Sequence, residues 1–138
     1  MAQAKLAPQV RRLRLAGSLL AAVSGFIHVP LAMILFADRE MAATIFGRQA
    51  VLVVPGFFLV LGAFQVMWAW ITLGSGSTLI GIGIFGFLGS IVLYLVALAT
   101  PLPFGVVQQN ITPIGGITKL IEAAYVIVSL RLAVELSR

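Results

Sequence analysis

Residues 15–37 read LAGSLLAAVSGFIHVPLAMILFA: 23 residues without one Asp, Glu, Lys or Arg, and with a single histidine, His28, among them. A helix rises about 1.5 Å per residue and the hydrocarbon core of a bilayer is about 30 Å thick, so a run of this length crosses it. Backbone N–H and C=O groups in hydrocarbon must be paired within the structure, which makes helix the natural form of such a run. Working outward, Val51–Thr72 and Leu79–Ala99 are equally free of charge. A fourth run, Ile117–Leu132, extended to about residue 136, holds Lys119 and Glu122 near its start and Arg131 near its end. The pattern predicts an all-α polytopic membrane protein: a four-transmembrane-helix bundle forming one domain over residues 1–138.

Composition agrees. Hydrophobic residues make up 61% of the chain and charged residues 9%, with a mean hydropathy of +1.13. Soluble domains carry about 25% charge. The net charge of +5 does not point to nucleic acid, because Lys5, Arg11, Arg12 and Arg14 sit just before the first span, where basic residues set topology and meet anionic headgroups. There is no cysteine, so disulfides and thiolate metal sites are excluded.

Basic residues also orient the chain. With the N-terminus in the cytoplasm, Lys5, Arg11, Arg12, Arg14, Arg131 and Arg138 lie inside, against Arg39, Arg48 and Lys119 outside. The excess places both termini in the cytoplasm. Trp68 and Trp70 then fall at the interface. The first span is longer than the 7–15 residues of a signal-peptide core and reads as an anchor, although Arg11-Arg12 weakly matches a twin-arginine signal.

The connections differ in character. Gly74-Ser75-Gly76-Ser77 reads as a tight turn without chemistry, and Asp38 as the N-cap of a short helix in the headgroup layer, with Met41, Ile45 and Phe46 on one side. Thr100–Gly116 is long and rich in proline and glycine, with Pro101–Gly105 forming a shaped turn from which Phe104 folds back onto the bundle. Asn110-Ile111-Thr112 matches the glycosylation sequon on the outer side.

Small residues mark packing faces. Gly17, Ala21 and Gly25 recur every four residues along the first span, and Gly86 and Ser90 do so along the third, a spacing that lets helices approach closely in lipid. Gly81-x-Gly83-x-x-Gly86 spells the dinucleotide fingerprint, but lies inside a span where the required strand is missing. It is not a nucleotide site.

Chemistry rests on a few polar residues. His28 lies nine residues in from the outer end of its span, Tyr94 five, Glu122 five and Tyr125 eight, or about 7 to 14 Å deep. Ionisable groups in spans are costly and usually face partners. His28 and Glu122 form one natural titrating pair; the other reading gives Glu122 to Lys119 one turn away and leaves His28 to orient helices. Gln65, deeper, reads as an interhelical hydrogen bonder rather than a ligand.

No pair of carboxylates, histidine cluster or Ser-His-acid arrangement is present, so the chain by itself has no catalytic constellation and no metal site. A haem held by two imidazoles needs a second chain, or Met33 or Met67 beside the candidate ligand His28. A quinone likewise calls for a partner chain.

These features resemble a diffuse group of uncharacterised small four-span prokaryotic membrane proteins. The shared elements are His28 in span one, Gly56-Phe57-Phe58-Leu59 with Ala63-Phe64-Gln65 in span two, the Leu102-Pro103-Phe104-Gly105 turn, and Glu122 in span four. They cover about residues 24–130; Ser90 stands where the group more often has an amide. The resemblance implies a fold, a place in the plasma membrane of a prokaryote and a set of positions, not a reaction. Three functions follow from the residues: an accessory or structural subunit of a larger membrane complex, favoured by the scarcity of polar residues; an oligomeric proton-coupled carrier or channel using His28 and Glu122; or a haem- or quinone-associated electron-transfer subunit. The expected partners are the lipid bilayer and other membrane subunits or copies of the chain.

Overall fold

The computed structural model describes residues 8–103 and 112–138. Lys5, Phe104, Gly105 and the sequon residues Asn110 and Ile111 lie outside the described residues. The chain is all-helical. Four long helices, α1 (Pro8–Ala37), α3 (Val53–Gly74), α4 (Ser77–Ala99) and α5 (Pro113–Leu136), are accompanied by a short α2 (Arg39–Phe46) and a 3-10 turn at Arg48–Ala50. Helices α1, α3 and α4 are each long and apolar enough to cross a membrane. Helix α5 has 24 residues and carries Lys119, Glu122, Arg131 and Glu135.

Helix ends follow local chemistry. Asp38 caps α2 by accepting from the Met41 N–H at 2.9 Å. Gly47, at φ 91°, then reverses the chain in a conformation that L side chains avoid. Helix α5 starts earlier than the sequence suggested. Thr112 accepts from the Gly115 N–H at 3.1 Å and Pro113 occupies the first turn, where its missing N–H costs nothing. Gly115 and Gly116 therefore belong to α5 and not to the preceding connection.

Two further expectations are corrected. Arg14, read as a headgroup contact, is buried, and its guanidinium donates to the Thr72 carbonyl at 3.2 Å and the Ser75 carbonyl at 2.8 Å. It satisfies carbonyls orphaned at the end of α3, where a cation is favourable, so the Gly74–Ser77 turn is held from α1. Trp68, read as an interfacial ring, is buried in the bundle against Gly83, while Trp70 stays exposed. Gly83 has no side chain, and the indole fills that space.

The buried positions of α1 form one stripe: Val10, Arg14, Gly17, Ala21, Ser24, Gly25, His28, Ala32 and Leu35. Helices α1 and α3 cross most closely at glycine. A Cβ on Gly25 would stand 2.8 Å from the Gly62 carbonyl, and one on Gly62 3.1 Å from the Gly25 carbonyl. Gly17 packs against Thr72 and Ser129, and Ala21 is fully buried. Gly86 receives the Phe64 ring. Gly81 and Gly89, by contrast, meet nothing within 4 Å.

Helix α1 packs on α3 and α5, and α5 packs on α4. Gln9 of α1 donates to Glu135 near the end of α5 at 3.4 Å, so those two ends lie together. Helices α3 and α4 meet chiefly through Phe64, Trp68 and Phe87, leaving a cleft between the start of α3 and the end of α4. Two apolar clusters result. One, near the chain ends, holds Trp68, Ile80, Ile84, Phe87, Tyr125 and Leu132. The other, beneath α2, holds Leu35, Ala42, Phe46, Ala50 and Val54. Helix α2 thus rests on the bundle through Ala42 and Phe46. The polar residues lie between these clusters.

Candidate functional site

Every long helix contributes a side chain to one buried polar cluster. Ser24 and His28 come from successive turns of α1, Gln65 from α3, Ser90 from α4, and Lys119 and Glu122 from successive turns of α5. Ser24, Gln65 and Glu122 are completely buried, and His28 nearly so.

The donors and acceptors fix their own orientation. His28 Nδ1 faces two acceptors, the Ser24 carbonyl at 3.0 Å and Gln65 Oε1 at 2.9 Å, so the neutral ring carries its proton on Nδ1. The Gln65 amide passes the chain on: its Nε2 donates to Glu122 Oε1 at 2.8 Å. The Ser24 hydroxyl donates to the same oxygen at 3.3 Å. The other carboxylate oxygen accepts from Lys119 Nζ at 2.7 Å, and Lys119 also donates to Ser90 Oγ at 2.7 Å. Glu122 is therefore matched by three donors, one of them the cation Lys119. With His28 neutral, the ammonium and carboxylate leave the cluster without net charge.

Both readings of Glu122 meet in this geometry. Lys119 takes one oxygen from the adjacent turn, while His28 reaches the other through Gln65. The free His28 Nε2 stands 3.9 Å from Glu122 Oε1, close enough for a protonated imidazole to feel the carboxylate but too far for a hydrogen bond. Gln65, set aside as a ligand in the sequence reading, is the bridge. Tyr125 lies apart from the cluster, stacked on Phe87 with ring centroids 3.9 Å apart, its hydroxyl 3.3 Å from Thr72 Oγ1. Ser90, expected only as a packing residue, also accepts from Lys119. Ser24 was missed; its place one turn before His28 was the available signal.

Two cavities adjoin the cluster on its α2 side. One of about 120 Å³ is lined by His28, Tyr94, Thr112, Thr118 and Lys119 together with apolar residues of α1 and α2. The other, of about 300 Å³, occupies the cleft between α3 and α4 and touches Ser90, Tyr94 and Lys119. Phe46, Phe58, Tyr94 and Lys119 border both. Toward the chain ends the core is closed by the Phe64–Trp68 stack, the Phe87–Tyr125 stack and Leu132.

Among the described residues no three His, Asp or Glu side chains gather as a metal site. Met33 and Met67 are half or more exposed, whereas His28 points inward, so neither thioether joins His28 as a second haem ligand within this chain. Comparison with family models, with curated proteins and with solved structures finds no match for this chain.

Proposed function

We propose that the protein is a four-span integral membrane protein, with both termini cytoplasmic, that serves as an accessory subunit of a larger membrane assembly and carries a buried polar site open toward the outer side. The observation that supports this most is the one-sidedness of the cluster. Both cavities lie on its α2 side, while aromatic layers fill the core beyond it. A carrier needs a path on both sides of its site, and one chain offers open space on one. Assembly is supported by α4, where Gly81 and Gly89 are open on either side of the exposed Phe85, a surface on which another helix can sit closely.

The continuous link His28–Gln65–Glu122–Lys119 favours a second reading, an oligomeric proton-coupled carrier whose path is completed between copies. The resemblance to small four-span prokaryotic proteins fits either reading, and so does a plasma-membrane location. Purification in mild detergent separates them. The subunit reading expects stoichiometric co-purification of different membrane chains, lost when Gly81 and Gly89 are both replaced by leucine. A pure oligomer of this chain, driving proton uptake in liposomes, would overturn it.

A further inference from the structure

We infer that the cavity between α3 and α4 binds a neutral ring compound bearing a hydrogen-bond-accepting carbonyl, of the quinone class, taken from the membrane. The inference deepens the proposed function and rests on the reading that this cluster lies within the bilayer. Phe57, Phe58, Leu93 and Ala97 make the walls apolar, and Phe57 and Leu93 also reach the outside of the bundle. A ligand can therefore arrive sideways through lipid. The volume of about 300 Å³ suits a ring, with any tail left among the lipid chains.

The polar residues of the cavity decide the chemistry. An ammonium has three N–H donors, and Lys119 gives one to Glu122 and one to Ser90, which leaves one available. The Tyr94 hydroxyl is buried against Gly115 of α5 and presents no surface to the cavity, so the donor offered to a ligand is that of Lys119. An unmet donor calls for an acceptor atom, and a ligand that brought only donors would leave it unmet. Charge narrows the choice further. Glu122 already balances Lys119 at 2.7 Å, so a carboxylate ligand would bring an uncompensated negative charge into an apolar cavity, whereas a ring carbonyl brings none.

The test uses the full chain in detergent and three probes: a decyl-tailed benzoquinone, decylbenzene and palmitate. The quinone is expected to raise the melting temperature in a dose-dependent way, with the other two inactive. Ala97→Phe fills the cavity without touching the polar cluster and should abolish the shift; Lys119→Met should weaken quinone binding about tenfold, the effect of one lost hydrogen bond. Equal stabilisation by decylbenzene or palmitate would overturn the carbonyl assignment, and an undiminished quinone shift in Ala97→Phe would overturn the site. Quinone binding without co-purifying chains would sink the subunit reading alone. Co-purifying chains retained by a protein indifferent to quinone would sink this inference alone.

Discussion

Gly25→Leu is expected to prevent the bundle from forming. A Cβ at this position would lie 2.7 Å from Val66 Cγ2, 2.8 Å from the Gly62 carbonyl oxygen and 3.0 Å from the Val66 amide nitrogen. Two of these neighbours are backbone and cannot rotate away, so α1 and α3 would have to separate. Overpacking a tight site ordinarily costs about 1–3 kcal/mol, and a leucine against backbone exceeds that range. Gly25→Ala should already lower the melting temperature. Gly81→Leu makes the same chemical change where nothing lies within 4 Å, and should leave the isolated chain as stable as the parent. Melting curves in detergent decide the matter. A Gly25→Leu protein that melts like Gly81→Leu would mean that the α1–α3 crossing is wrong.

Breaking the buried ion pair should cost nearly as much. Glu122→Leu leaves Lys119 with Ser90 as its hydrogen-bond partner, and strands the Gln65 amide and the Ser24 hydroxyl, all of which donate to Glu122. Removing one member of a buried pair typically costs about 3–5 kcal/mol, because the other charge stays behind without compensation. Lys119→Met combined with Glu122→Leu removes both charges, and should be more stable than Glu122→Leu alone. That non-additivity is the signature of a coupled pair. Unfolding titrations of the two single variants and the double one measure it. Strictly additive losses would mean that the two residues act independently.

Much of this architecture was legible in the chain. Long uncharged runs announce α1, α3 and α4, since hydrocarbon tolerates little else, and Asp38 announces α2 because its carboxylate can cap a helix. His28 and Glu122 stood out for the same physical reason: ionisable groups among apolar residues demand partners. Which partners they find depends on how each helix is rotated about its axis. That rotation is set where Gly25 meets Gly62, and small-residue spacing marks a face without saying what it meets. Gln65 consequently reads as an interhelical hydrogen bonder, as it is, but without the partners His28 and Glu122 that it joins. Arg14 was misplaced for a related cause. A basic residue beside a span usually meets headgroups, but here the open carbonyls of Thr72 and Ser75 lie within its reach. The larger cavity arises from the divergence of α3 and α4, a property of packing that no local pattern encodes.

The connected, one-sided polar cluster is open to its most direct test because the chain has a single histidine. Isotope-labelled histidine in the protein, reconstituted in liposomes with one orientation, gives one imidazole signal to follow by magnetic resonance. The signal should respond to pH in the compartment facing α2 and ignore pH on the side of the chain ends, and its response should be altered in both Gln65→Leu and Glu122→Gln. A His28 signal that follows the opposite compartment, or that is indifferent to both substitutions, would contradict the site described here.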